Sequence, residues 1–212
     1  MRKLLDRIAR SACACIVLAA ALTAHAADLQ QRDDIEAVWK AQSIVFQYRS
    51  EGRLYPCDIL KYKIGMILRR LGARESLALR RSGCHDLAGH ARFEVLLESP
   101  VEATADNIRD ITRYDSEDEL VARVRGVPLP SPADVERFPA AWESISLRKL
   151  DLDAGDCALV QQLRRQILSK MSVEVMKDIK GVDCSQELAG IRPPRLMVLA
   201  LVPARESQIF PH

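Results

Sequence analysis

The sequence predicts an α+β fold made of two β-α-β-β repeats with pseudo-two-fold symmetry, each repeat closed by its own disulfide. Three observations carry this prediction. Two cysteine pairs share one spacing, because Cys57 and Cys84 lie 27 residues apart and so do Cys157 and Cys184. A series of residues recurs in the same order around each pair. Apolar residues alternate with a strand period, then a helical period, then a strand period, twice along the chain.

Residues 1–26 read as a secretory signal peptide. Arg2, Lys3, Arg7 and Arg10 form a basic start, the stretch from Ala12 to Leu22 is apolar, and Ala24-His25-Ala26 offers a cleavage site before Ala27. The apolar stretch is too short to span a bilayer, and no other approaches the ~20 residues required. An uncleaved N-terminal anchor is the competing reading. A lipoprotein does not fit, since Cys13 and Cys15 lie inside the apolar stretch and not after it.

The whole chain carries 31 basic and 29 acidic residues, but four of the basic ones and Asp6 belong to the signal. The remainder holds 27 and 28, a formal charge of −1, so the slight basicity comes from the export signal. Nucleic-acid binding calls for a clustered basic face, which is not seen. With 48% hydrophobic residues the mature chain has enough apolar material for a core.

The first repeat is expected at 27–101. Ile44, Phe46 and Tyr48 place a strand over Ile44 to Arg49, followed by a turn at Ser50-Glu51-Gly52. Leu60, Ile64, Ile67, Leu68 and Leu71 then recur at helical spacing, and Gly72 stops the helix. Short strands come next over Ser76 to Arg81 and Arg92 to Glu98. The second repeat, at 142–204, has the same order. A strand is expected over Ile145 to Lys149, a turn at Asp153-Ala154-Gly155, and a helix N-capped by Asp156 that carries Val160, Leu163, Ile167 and Met171. Strands over Ser172 to Lys177 and Leu196 to Val202 complete it. The last is apolar on both faces and is expected to be covered on both.

Matches between the halves are specific. Ile67-Leu68 answers Ile167-Leu168, and Leu60, Arg70 and Leu79 answer Val160, Lys170 and Ile179. Leu87-Ala88-Gly89 answers Leu188-Ala189-Gly190, and Trp39 answers Trp142. The connector at 102–141 should hold a helix over Glu117 to Arg125, with Ser116 and Glu119 as a capping box and Gly126 as its stop. Pro128, Pro130 and Pro132 stiffen the chain beyond that glycine, and Ser131-Pro132 can start a helical turn carrying Val135 and Phe138. Residues 205–212 are expected to be a flexible tail.

An even number of cysteines in an exported chain points to disulfides, since that compartment is oxidising. Composition allows three pairings of the four. Geometry selects Cys57–Cys84 and Cys157–Cys184. A helix of ~15 residues runs ~22 Å away from the first cysteine, and the strand after it returns ~25 Å to bring the second alongside. A reactive thiol at a helix N-terminus is the alternative.

Tyr55-Pro56-Cys57-Asp58, Leu71-Gly72-Ala73-Arg74, Glu136-Arg137-Phe138-Pro139 with Trp142, and Gly155-Asp156-Cys157 resemble a family of uncharacterised small secreted or periplasmic proteins of Gram-negative bacteria. The resemblance covers most of the mature chain. It implies export and supplies no catalytic residues, because the members carry no assigned activity. In architecture alone, β-α-β-β units are similar to periplasmic POTRA and secretin N-domains, which bind other proteins; no motif matches those residue by residue.

Two clusters are candidates for function. His85, Asp86 and His90 have metal-ligand character, since two imidazoles and a carboxylate can supply part of a zinc site. The second half has Ser185 and Gln186 in place of His85 and Asp86, and solvated loop residues are the plainer account. Arg69, Arg70, Arg74, Arg80 and Arg81 are the densest basic group, able to meet anionic headgroups or an acidic partner if they share a surface. Helix-dipole complementarity accounts for them without a ligand. The acidic run 115–119 lacks the spacing and glycine of a calcium loop, and no nucleophile or phosphate-loop motif occurs.

The expected function is therefore a non-catalytic exported (periplasmic) binding or adaptor protein. It needs no cofactor, has no transmembrane segment after signal cleavage, and would dock an envelope protein on a sheet edge or in the groove between copies. A small metal-dependent hydrolase using His85, Asp86 and His90 is the alternative.

Overall fold

The computed structural model describes residues 34–50, 54–84, 87–176, 194 and 196–204. The expected signal peptide, His85 and Asp86, Cys184 and the tail at 205–212 lie outside the described residues.

Strand β1 runs over Ile35–Arg49, starting nine residues before the expected Ile44. Alternation fails to reveal its first half because Ala37 and Val38 are both buried, on opposite faces. Ala37 packs with Ala140 and Leu201, Val38 with Val101 and Ile108. From Ile44 on, the alternation holds, with Ile44, Phe46 and Tyr48 buried and Val45 and Gln47 exposed. A two-residue strand β2 (Tyr55–Pro56) leads into helix α1 (Cys57–Arg70). Leu60, Ile64, Ile67 and Leu68 form its buried stripe; Asp58 in its first turn and Arg69 and Arg70 in its last suit the helix dipole.

Gly72 ends α1 as expected, with a φ of 96°. The amide of Gly72 donates to the Arg69 carbonyl (3.1 Å) and that of Ala73 to the Leu68 carbonyl (3.0 Å), the paired bonds of a Schellman turn.

Strand β3 (Ala78–Gly83) comes next, two residues later than expected, then β4 (Leu87–Ala88), which pairs with β2. Strand β5 (His90–Glu102) continues past the expected end at Glu98, through Pro100. Proline is tolerated there because the β3 ladder ends at Leu96, so the missing N–H leaves no strand bond unmade on that side. Cys57 and Cys84 are disulfide-bonded with Cα atoms 6.1 Å apart, as the spacing requires. Cys157 is disulfide-bonded too.

The segment after β5 holds two helices. Helix α2 (Ala105–Ile111) is not signalled by periodicity; Thr104 caps it and Ile108 anchors it against Val38 and Val101. Helix α3 spans Ser116–Arg125, but its capping box is made by Asp115 and Asp118, not by Ser116 and Glu119. Gly126 closes it at φ 67°. Ser131-Pro132 makes a turn rather than a helical start: Asp134 accepts from the amide and hydroxyl of Ser131, and Phe138 already belongs to the next strand.

Strand β6 (Arg137–Ser146) begins eight residues before the expected Ile145, and Leu147–Lys149 is a 3-10 turn instead of strand. Pro139 obscures this strand in the sequence, yet it pairs opposite Glu36 and its carbonyl accepts from the Ala204 amide (2.9 Å). Helix α4 (Cys157–Gln166) stops short of Met171 and gives way to a 3-10 turn at Leu168–Lys170. Strands β7 (Val173–Val175) and β8 (Met197–Pro203) complete the order.

Strands pair antiparallel throughout a six-stranded sheet of order β3-β5-β1-β6-β8-β7. One core cluster joins both halves: Phe46, Phe93, Leu60 and Ile67 share it with Leu163, Ile167, Val198 and Ala200. The fold is thus mixed α and β, with strands of both halves in one six-stranded sheet and a separate two-stranded ladder of β2 and β4. The other sheet face stays partly open, so β8 is not covered on both faces; Met197 and Leu199 are only half-buried.

Strands β1 and β6 pair only from Ile35 to Val38. Further along β1, α4 takes the place of a strand. The side-chain amides of Gln162 and Gln166 bond both the N–H and C=O of Arg49 and of Gln47, at 2.7–2.8 Å. Among the described residues no helix is long and apolar enough to cross a membrane.

Candidate functional site

At the C-terminal end of α1 the chain forms a groove of about 330 Å³. It exists because the Schellman turn at Gly72 brings the backbone close to β8: a Cβ there would lie 2.8 Å from the Leu201 carbonyl oxygen. Arg69, Arg70 and Arg74 line it from the first half, Glu143 and Val202 from the second, and Trp39 closes one side.

The Trp39 ring is held on both faces. Phe138 stacks on it with centroids 4.5 Å apart and planes 24° from parallel, and the Arg74 guanidinium sits 5.2 Å above its centroid. Arg74 is fixed in turn by Glu98 at 2.8 Å and Glu136 at 3.5 Å. The Glu98 hydrogen bond holds its pKa above the ordinary arginine value, with both glutamate charges adding. Arg69 has Glu75 at 3.5 Å, an exposed pair of small energetic weight. Arg70 is half-buried and has no ion pair among the described residues.

The five arginines of the basic group therefore divide. Arg69, Arg70 and Arg74 gather at the groove. Arg80 leans toward Glu94 (3.9 Å) across the β3–β5 ladder. Arg81 pairs with Asp58, at the opposite end of α1, which as a 14-residue helix is roughly 21 Å long. His90 is exposed at the start of β5, opposite Arg49. Among the described residues no group of three potential metal ligands converges. Trp142 donates from Nε1 to Glu102 (3.2 Å) and packs beside Ala37 and Leu201.

A second polar cluster is not foreseen from the sequence. Asp156 stands at the N-cap position of α4 but makes no side-chain cap bond. Its carboxylate is fully buried and accepts instead from Lys63 (2.5 Å), from the Asp153 amide (2.7 Å) and from the Tyr55 hydroxyl. The same hydroxyl lies 3.1 Å from the Gly155 carbonyl, and Tyr48 meets the Tyr55 ring edge-on. A signal exists in the sequence: Lys63 falls among Leu60, Ile64 and Ile67 on the apolar face of α1, where a charge needs a buried partner. The cluster ties α1 to α4. With three donors on one carboxylate, it is a structural clasp.

No protein-family model matches the chain, and neither a curated protein nor a solved structure does.

Proposed function

We propose that the chain is a non-catalytic exported binding or adaptor protein, built from two copies of one β-α-β-β unit, whose partner docks in the groove between the copies. Strand order supports the repeat. The halves run β3-β5-β1 and β7-β8-β6 from the sheet edges inward, so the strands before and after each helix take equivalent places. The resemblance to small secreted proteins and the disulfide support export.

The observation that carries the binding function is the lining of the groove. It draws residues from both halves and gathers Arg69, Arg70 and Arg74 beside Glu143 and Val202. Arg70, without an internal counter-charge among the described residues, is the natural contact for an acidic segment of an envelope protein.

Affinity capture from an envelope extract tests this. A partner held by the wild type, released by salt, and lost on Arg70→Glu supports the reading. Equal retention by both proteins, or no partner at all, sinks it. The rival proposal of metal-dependent hydrolysis at His85, Asp86 and His90 would replace it if purified chain carried stoichiometric zinc that His90→Ala removes.

A further inference from the structure

Helix α3 is at odds with the rest of the molecule. It is well formed, with a capping box at Asp115 and Asp118 and a left-handed stop at Gly126, yet none of its residues is buried. Leu120, Val121 and Val124 are 57%, 40% and 79% exposed, and Val127 just beyond the helix is 60% exposed. At 3.6 residues per turn, Leu120, Val124 and Val121 share about a third of the circumference, a stripe that on other helices of this chain faces the core. An isolated helix of this length is marginal in water. The segment is nonetheless pinned at both sides, since the Tyr114 hydroxyl donates to the Pro130 carbonyl (2.9 Å) and Asp134 holds Ser131. The helix is thus presented outward.

The charges beside the stripe identify what covers it. Acidic residues occupy the first turn (Glu117, Asp118, Glu119) and basic ones the last (Arg123, Arg125). Glu119 and Arg123 flank the stripe on one side, Asp118 and Arg125 on the other. When two such helices pack antiparallel about a two-fold axis, each flank meets its own reverse. Glu119 then faces Arg123 of the other copy, Asp118 faces Arg125, and Leu120 lies against Val124. We infer that α3 is a self-association surface, and that its occupant is a second copy of this chain in antiparallel register. A contact through one ten-residue helix is small beside a standard interface of roughly 1,600 Å², so the dimer exchanges readily and forms at micromolar concentration or above.

Sedimentation of the purified chain up to roughly 500 μM, a range suited to interfaces of this size, reads the outcome. Wild type is expected to shift from monomer to dimer, and Val124→Lys to remain monomeric. Glu119→Arg and Arg123→Glu each place like charges opposite one another, so each alone should weaken self-association roughly tenfold. A one-to-one mixture of those two variants restores opposite charges on both sides of the flank and should dimerise again. Circular dichroism checks that each variant keeps its helix content. A wild type that stays monomeric throughout overturns the inference, whether or not another protein binds the stripe. So does a dimer indifferent to Val124→Lys, or a mixture that associates no better than its components.

Discussion

The Lys63 ammonium lies 2.5 Å from a carboxylate oxygen of Asp156, joining two helices whose contributing residues are 93 positions apart. Both groups are withdrawn from water, so each depends on the other. Removing one partner of a buried pair leaves an uncompensated charge, which costs more than the pair contributes. Lys63→Met and Asp156→Asn should each destabilise by about 2–4 kcal/mol in urea unfolding, with the double variant losing at least about 1 kcal/mol less than their sum. Strict additivity would show that the two side chains act independently.

Two glycines with positive φ should respond differently to alanine. At Gly126 the added Cβ meets nothing within 4 Å, so only the left-handed backbone penalty applies, about 1–2 kcal/mol. At Gly72 the same penalty combines with a Cβ 2.8 Å from the Leu201 carbonyl oxygen, and the turn must shift. Gly72→Ala should therefore cost clearly more, by about 1–3 kcal/mol. Equal melting temperatures for the two variants would remove the close approach from the account.

Cys57–Cys84 closes a loop over a separation of 27 residues. Constraint of the unfolded chain gives it about 3.5 kcal/mol in the loop-entropy model. Cys57→Ala with Cys84→Ala should lower stability by about that amount. Non-reducing peptide mapping should also recover Cys157 linked to Cys184; a link from Cys157 to any other cysteine would break the repeat-by-repeat pairing.

Lys40 donates to Asp110 at 2.6 Å, tying β1 to α2. That hydrogen bond, then the Lys40 charge, holds the Asp110 carboxyl below the usual aspartate range, with Arg113 adding slightly. A carboxyl depressed on folding contributes stability above its unfolded pKa and loses it as pH falls through the folded value. Lys40→Met should move the Asp110 titration upward in an NMR pH series and flatten this acid dependence. An unchanged titration would mean the exposed pair is solvent-separated in solution.

Much of the architecture is legible in local spacing. Leu60, Ile64 and Ile67 place α1, Gly72 and Gly126 mark helix ends, and equal cysteine spacings identify the Cys57–Cys84 bond. Strand boundaries are harder to read for a physical reason. Pro100 and Pro139 look like breakers but sit where strand hydrogen bonding does not need their N–H, and the small, doubly buried Ala37-Val38 gives no period. The groove at Gly72 and the clasp at Asp156 depend on approach between residues far apart in sequence. Lys63 on an apolar face is the one local clue; Asp156 stands at the N-cap position of α4, yet its carboxylate serves the Asp153 amide of the preceding turn and Lys63 instead.

The paired glutamines of α4 have a consequence for the protein at high concentration. An open sheet edge is a template onto which another chain can add, the first step toward cross-β aggregation. Gln162 and Gln166 occupy that template at Arg49 and Gln47 with groups that copy a peptide bond and cannot propagate it. At the outer edges β3 carries Arg80 and Arg81, and β7 is only three residues long. The sheet is thereby fenced against templated growth on either flank and along part of its seam, without being closed into a barrel.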